Sequence, residues 1–336
     1  MYILTDLYKS GSKVFPIFVP DKSELKSVNF YLIMHEGSLS LIDAGYDNEK
    51  CWEALLMTLK QNGFGLNDLT EIILTHHHID HVGLVNRIVS KHPIPVYASS
   101  HSIPRLKRDK TFLEMRVEFF SKLYNEFGCA ETGEKHVANM KKSMKKNKDK
   151  IIQADITSLK DDSLLHFKLI DVPGHSPDQI AFLDESRKWL FSGDLLIKHI
   201  SSNAIVEPDN EGNRLSTLIQ HMDSLERCAS LDIDIVFPGH GTLIQQPVEL
   251  IRTRLNRIDE KSIRLIHLIQ SGVTTASELA YSFYKKTYYE QFGLVMSEII
   301  GQLDYLEANN KINKEFVQGI WHYSVTKDSK YLMKCN

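Results

Sequence analysis

Thr75-His76-His77-His78-Ile79-Asp80-His81 places four imidazoles and a carboxylate within seven residues, directly after the apolar run Glu71-Ile72-Ile73-Leu74. Desolvated polar groups at that density cost free energy unless a cation satisfies them. Neutral imidazole is the commonest metal ligand, and a carboxylate oxygen among imidazole nitrogens suits zinc first, then iron or manganese. The spacing adds a constraint. In extended backbone, side chains at i and i+2 point the same way, so His76 and His78 can close on one cation while His77 faces away. The stretch therefore belongs on a loop leaving a strand. Asp80 and His81 would sit at the turn into a helix over residues 82–89, where a carboxylate meets the positive end of the helix dipole.

Three further polar residues follow apolar runs of strand character. They are His175 after Leu169-Ile170-Asp171-Val172-Pro173-Gly174, Asp194 after Trp189-Leu190-Phe191-Ser192-Gly193, and His240 after Ile235-Val236-Phe237-Pro238-Gly239. Strand ends deliver side chains to shared sites, and the Gly before each residue lets the backbone turn tightly. Four strand ends thus supply seven candidate ligands: His76, His78, Asp80, His81, His175, Asp194 and His240.

His76-x-His78-x-Asp80-His81, then His175, Asp194 and His240 in that order, resembles the metallo-β-lactamase superfamily of hydrolases, over roughly residues 1 to 245. The resemblance implies an α+β fold, a four-layer αββα sandwich with a two-metal site at one edge. It also implies that His76, His78 and His175 hold one zinc and Asp80, His81 and His240 the other, with Asp194 bridging. Asp43, in Leu39-Ser40-Leu41-Ile42-Asp43-Ala44-Gly45, matches the family's early Asp-x-Gly motif and is expected to support the ligands from behind. Two departures stand out. Leu84 replaces the second Gly of a common Gly-Gly pair, and Ser176-Pro177-Asp178-Gln179 stands where many relatives carry Thr-Pro-Gly-His.

Two cations sharing a water lower its pKa from about 15.7 towards about 7, which favours hydroxide by roughly 12 kcal/mol. A metal-bridging hydroxide needs no Ser or Cys nucleophile. Asp80 is expected to orient it and take its proton. A solvated histidine-rich loop is the plain alternative for residues 76–81, and a turn histidine the plain alternative for His175 or His240 taken singly; the ordered set outweighs both. His101 is a candidate substrate contact, although a structural or exposed histidine is the commoner case.

The chain has 336 residues, 42% hydrophobic and 25% charged, enough for one large domain and a smaller one. A net charge of −3 gives no global attraction to nucleic acid or membrane. Cys51, Cys129, Cys228 and Cys335 form no C-x-x-C pair, which argues against a disulfide framework or a thiolate metal site. The opening Met1-Tyr2-Ile3-Leu4-Thr5-Asp6 lacks the pattern of a signal peptide, and no apolar run is long enough to span a membrane. A cytoplasmic location follows as the expectation.

The catalytic domain is expected over residues 1–248. Between about 102 and 150 it carries a helical insertion, in which Phe112, Met115, Phe119, Leu123 and Phe127 recur at helical spacing before a lysine run, Lys141 to Lys148. From Arg105 to Lys150 there are thirteen Lys or Arg against seven Asp or Glu. This segment is placed to act as a cap, and its lysines are either a solvated face or an attractor for an anionic substrate. Residues 249–336 show a helix over 255–270, a capping box at Thr275-Ala276-Ser277-Glu278 that opens a short helix to about Lys286, a helix over 294–309 and a hairpin over 311–325. Three helices and a wing resemble the winged-helix module appended to some lactamase-like hydrolases. Its nearly balanced charge favours packing or homodimerisation over DNA binding. The expected substrate is a small acyl compound (thioester, ester, lactone or amide). The alternative is phosphodiester cleavage of RNA or a nucleotide, with nucleic acid as partner.

Overall fold

Side chains that alternate along the first strands sort into two cores. The computed structural model describes residues 7–147 and 150–327. Met1 to Asp6, Lys148 and Cys335, named above, lie outside the described residues. One sheet contains, in spatial order, β1 (Tyr8–Lys9), β2 (Ser12–Pro20), β3 (Ser27–His35), β4 (Ser38–Ile42), β5 (Glu71–Ile73), β6 (Val96–Ser99) and β7 (Ile156–Leu159). Neighbours from β1 to β4 are antiparallel, and those from β4 to β7 parallel. A second sheet holds β8 (Ser163–Leu164), β9 (Phe167–Asp171), β10 (Ile180–Asp184), β11 (Trp189–Gly193), β12 (Ile235–Pro238) and β13 (Ile244–Gln245), with β11 and β12 parallel.

The two-residue period of a strand explains the layers. Phe30, Leu32, Leu41 and Ile72 join Trp52, Leu55, Leu59, Leu84 and Ile88 in a core between the first sheet and its helices. Tyr31, Ile33, Ile42 and Ile73 face the other way, into a core shared with Phe167, Phe182, Trp189, Phe191 and Phe237 of the second sheet. The Tyr31 ring lies 5.5 Å from Phe191 and 5.4 Å from Phe237, edge to face in both cases. Its hydroxyl donates to the Pro238 carbonyl at 2.6 Å, and Asn29 Nδ2 donates to Pro238 and Gly241 carbonyls. These bonds pin the two sheets together at the edge where His240 emerges. Ser224 and Arg227, in the helix Thr217–Ala229, donate to the carbonyls of Pro173 and Asp171.

By compactness the chain forms two units. One comprises the residues up to Lys107, Ile151–Ser202 and Ser224–Ile251; the other comprises Arg108–Lys150, Asn203–Asp223 and the residues from Arg252 onward. This division differs from the expected boundary at 248 with 102–150 attached to the first part: residues of the helices Lys110–Glu126 and Ala130–Lys146 share one core with the C-terminal helices. Phe120, Leu123, Tyr124 and Phe127 of the helix Lys110–Glu126 and its C-cap pack with Leu265, Ile269, Leu279, Phe292, Ile299 and Leu303. Met115 and Phe119 are only half-buried. Phe119 packs at the margin of this core. The lysine run ends a second helix, Ala130–Lys146, where cations meet the negative end of the dipole; Lys141, Lys142, Lys145 and Lys146 are exposed. The Thr275 capping box is present, and β14 (Ile312–Val317) pairs with β15 (Ile320–Val325) as the expected hairpin. Among the described residues no helix is long and apolar enough to cross a membrane. Cys51, Cys129 and Cys228 are buried free thiols.

Gly83 closes the loop that carries His81. Its N–H donates to the Gly45 carbonyl at 2.7 Å, and a Cβ there would fall 2.1 Å from Asp47 N. The Gly83→Ala variant should therefore destabilise the fold by about 1–3 kcal/mol through overpacking. Urea unfolding measures this, and a midpoint equal to wild type would refute the tight-packing account.

Candidate metal centre

β5 ends at Ile73, and residues 74–78 form no regular element before a one-turn helix, Ile79–Val82, in which Asp80 and His81 lie. In place of the single helix expected over 82–89 there are two, Ile79–Val82 with His78 as its N-cap residue and Val85–Val89. His175 follows β9, Asp194 follows β11 and His240 follows β12. Of the glycines preceding them, Gly174 and Gly193 adopt the expected left-handed turns, with φ of 135° and 50°. Gly239 serves differently: a Cβ there would lie 2.3 Å from Asp194 Oδ1 and 2.6 Å from His81 Cε1, so the position needs space rather than torsional freedom.

All seven sequence-identified residues converge. His76, His78, His175 and Asp194 form one group able to hold a metal ion, and Asp80, His81 and His240 form another. His78 Nδ1 lies 3.0 Å from His76 Nε2 and 3.1 Å from His175 Nε2. Asp194 Oδ2 lies 3.4 Å from His175 Nε2 and 3.2 Å from His240 Nε2, while His240 Nε2 is 3.5 Å from Asp80. His81 Nε2 and Asp194 Oδ1 face each other at 3.4 Å, both buried and neither hydrogen-bonded. Orphaned buried atoms of this kind are what a cation would satisfy.

The opposite ring nitrogens decide which lone pairs are offered. Asp43 accepts from Thr75 N (2.8 Å), from Thr75 Oγ1 (2.8 Å) and from His81 Nδ1 (2.7 Å). Since the Thr75 hydroxyl donates to Asp43, it accepts from His76 Nδ1 at 3.0 Å. His240 Nδ1 donates to the Ser27 carbonyl at 2.8 Å, and Ser202 Oγ lies 3.0 Å from His175 Nδ1. With Nδ1–H engaged, the Nε2 lone pairs of His76, His81, His175 and His240 point inward, the tautomer a metal requires. The donor set therefore fits metal ions, and in four of its five imidazoles through Nε2. Asp43 does this from a left-handed backbone, φ 58°, strained for a residue with a side chain, beside Gly45 at φ 55°.

Electrostatics divides the site. Burial, reinforced by neighbouring imidazoles, holds His76 and His78 well below the usual histidine range, hence neutral. Burial opposes charge on His81 and His240 as well, but the carboxylates outweigh it, Asp194 foremost and Asp80 on both, and raise the two rings. Asp194 is itself held low against burial by His240 and His81. This half of the site draws positive charge.

Other placements were not foreseen. His77 does face away from the cluster, and its Nδ1 donates to buried Asp178 at 2.7 Å. Thr75, Ser102, Ser202 and Asp178 carry no motif that flags them, although Asp178 lies in the segment whose departure from the family pattern was visible. Tyr46 is half-buried; burial, then Asp80, Asp21, Cys51 and Asp194, push its phenol up to about 12, so it stays protonated. Exposed His101 sits on the 3₁₀ turn Ser100–Ser102, its amide donating to Ser99 Oγ. Leu84 is fully buried among the helices over the first sheet, a packing role. Replacing Asp43 by Asn removes the charge that fixes these tautomers. We expect metal affinity to fall by about tenfold to a hundredfold in a chelator competition titration; unchanged affinity would refute the role given to Asp43.

Comparison with known proteins agrees with this geometry. Residues 24–240 match the family model of the metallo-beta-lactamase superfamily. A Bacillus subtilis protein named "Probable metallo-hydrolase YqjP" is 31% identical over 89% of this chain and 93% of its own length. An atrochrysone carboxyl ACP thioesterase of Aspergillus fumigatus is 22% identical, over 75% of this chain and 62% of its own. A metallo-beta-lactamase family protein from Thermus thermophilus shares the fold with a TM-score of 0.75 at 22% identity, over 93% of this chain and 98% of its own. The chain belongs to the metallo-β-lactamase superfamily of metal-dependent hydrolases.

Proposed function

We propose that the chain is a binuclear hydrolase of small acyl compounds, a thioester, ester, lactone or amide. The observation that carries this reading is the inward convergence of five imidazoles and two carboxylates in two adjoining groups. His76, His78 and His175 would hold one cation, Asp80, His81 and His240 the other, and Asp194 would lie between them. Zinc suits the nitrogen-rich set, with iron or manganese as alternatives. Bound there, the pair would bring the pKa of water towards about 7 and polarise a substrate carbonyl.

The chain's own residues supply the rest. Asp80, the less buried carboxylate, accepts a proton and orients the attacking oxygen. The protonated phenol of Tyr46 is a donor for a substrate oxygen, and His101 is the outer candidate for a substrate contact. A relative acting on an acyl carrier thioester supports the acyl class. Phosphodiester cleavage of RNA or a nucleotide is the second reading, favoured by the exposed lysines at the end of the helix Ala130–Lys146. In this proposal the C-terminal helices and the β14–β15 hairpin form a winged-helix-like module suited to homodimerisation, and the protein works in the cytoplasm.

Purified protein assayed on an acyl thioester, a lactone, a cephalosporin chromophore, bis-p-nitrophenyl phosphate and labelled RNA, with and without chelator, separates the readings. Chelator-sensitive turnover of an acyl substrate is expected, with close to two metal equivalents and loss of turnover in Asp80→Ala. Turnover confined to the phosphate substrates, falling steeply with salt, would overturn the acyl assignment.

A further inference from the structure

Asp178 is a buried carboxylate, 1% exposed, in the loop between β9 and β10. The buried acids Asp184, Glu207 and Asp304 each pair with an arginine, Arg187, Arg116 and Arg214 respectively. Asp178 forms no ion pair with a lysine or arginine among the described residues. Its partners are His77 Nδ1 on Oδ1 at 2.7 Å, the Ser176 hydroxyl on the same oxygen and the Ser102 hydroxyl on Oδ2. A desolvated carboxylate without a lysine or arginine beside it costs free energy, and a fold keeps it where the charge has work to do.

The partners come from both sheets. His77 sits between two candidate ligands, His76 and His78, on the loop after β5, and Ser102 ends the turn after β6. Ser176 follows His175 directly, and Gln179, next to Asp178, accepts from Asp194 N at 3.3 Å through its side-chain oxygen. One carboxylate therefore ties the loop bearing His76 and His78 to the loop bearing His175. We propose that Asp178 is a positioning residue that sets the separation of these three imidazoles, and with it the affinity and geometry of one half of the metal pair. This rests on the metal-centre reading above.

The test uses the full chain, stripped of metal and loaded with Co(II), for wild type, Asp178→Ala, Asp178→Asn and Ser102→Ala. Visible absorption reports ligand geometry, competition with a chelator reports affinity, and thermal unfolding of the metal-free protein reports the fold alone. Asp178→Ala should weaken binding of one Co(II) by about tenfold to a hundredfold and alter its spectrum. Asp178→Asn should restore part of both, because its amide oxygen still accepts from His77. Ser102→Ala should show a smaller loss in the same direction. Wild-type affinity and spectrum in all three variants would overturn the proposal whatever the melting temperatures, as would an Asn variant no better than Ala. Should Asp178→Ala not fold, weakened binding in Asp178→Asn and Ser102→Ala supports the proposal and unchanged binding refutes it. A wild-type protein that takes up no Co(II) would instead bring down the metal-centre reading itself.

Discussion

Three hydrogen bonds to one carboxylate organise this protein. Asp43 receives Thr75 N, the Thr75 hydroxyl and His81 Nδ1, and so joins the end of β4 to the loop after β5 while fixing the rings that follow. Without those bonds, His76 and His81 would be free to choose tautomers and rotamers, and the buried Nε2 lone pairs would not converge. A left-handed aspartate is a costly way to make such a joint. The return is that a single acceptor sets two ligands at once.

The fold serves this joint by bringing strand ends of both sheets to one edge. Tyr31 and Asn29 hold the β12 end carrying His240 against the first sheet, and Asp178 bonds the loop after β9 to the loop after β5. The aromatic core of Tyr31, Phe191 and Phe237 lies directly behind. A packed interior transmits displacement rather than absorbing it, so ligand geometry and core packing are coupled. The absence of room at Gly83 and Gly239 has the same origin: polypeptide segments meet there at close range because the groups beside them must converge.

Charge is partitioned along with geometry. Neutral imidazoles, held so by burial and by the neighbouring rings, make up the side of His76 and His78, whereas carboxylates raise His81 and His240 on the other. The two sides present different fields to whatever occupies them. Membership in the metallo-β-lactamase superfamily explains the ligand order along the chain, while Asp178 stands where the sequence departs from the common family pattern.

The sequence makes the segments with the candidate ligands legible, because metal-ligand chemistry needs particular residue types at strand ends and those types are rare enough to read. It also determined the strand character of those segments, the Thr275 cap and the terminal hairpin, all set by local periodicity and hydrogen bonding. The folded chain was needed to show that the helix Lys110–Glu126 shares a core with the C-terminal helices, since any apolar stripe can pack against many partners. It alone revealed Asp178, Thr75, Ser102 and Ser202 as supports of the site. Serine, threonine and aspartate are common everywhere, and their meaning depends on which atoms a folded chain brings within about 3 Å of them.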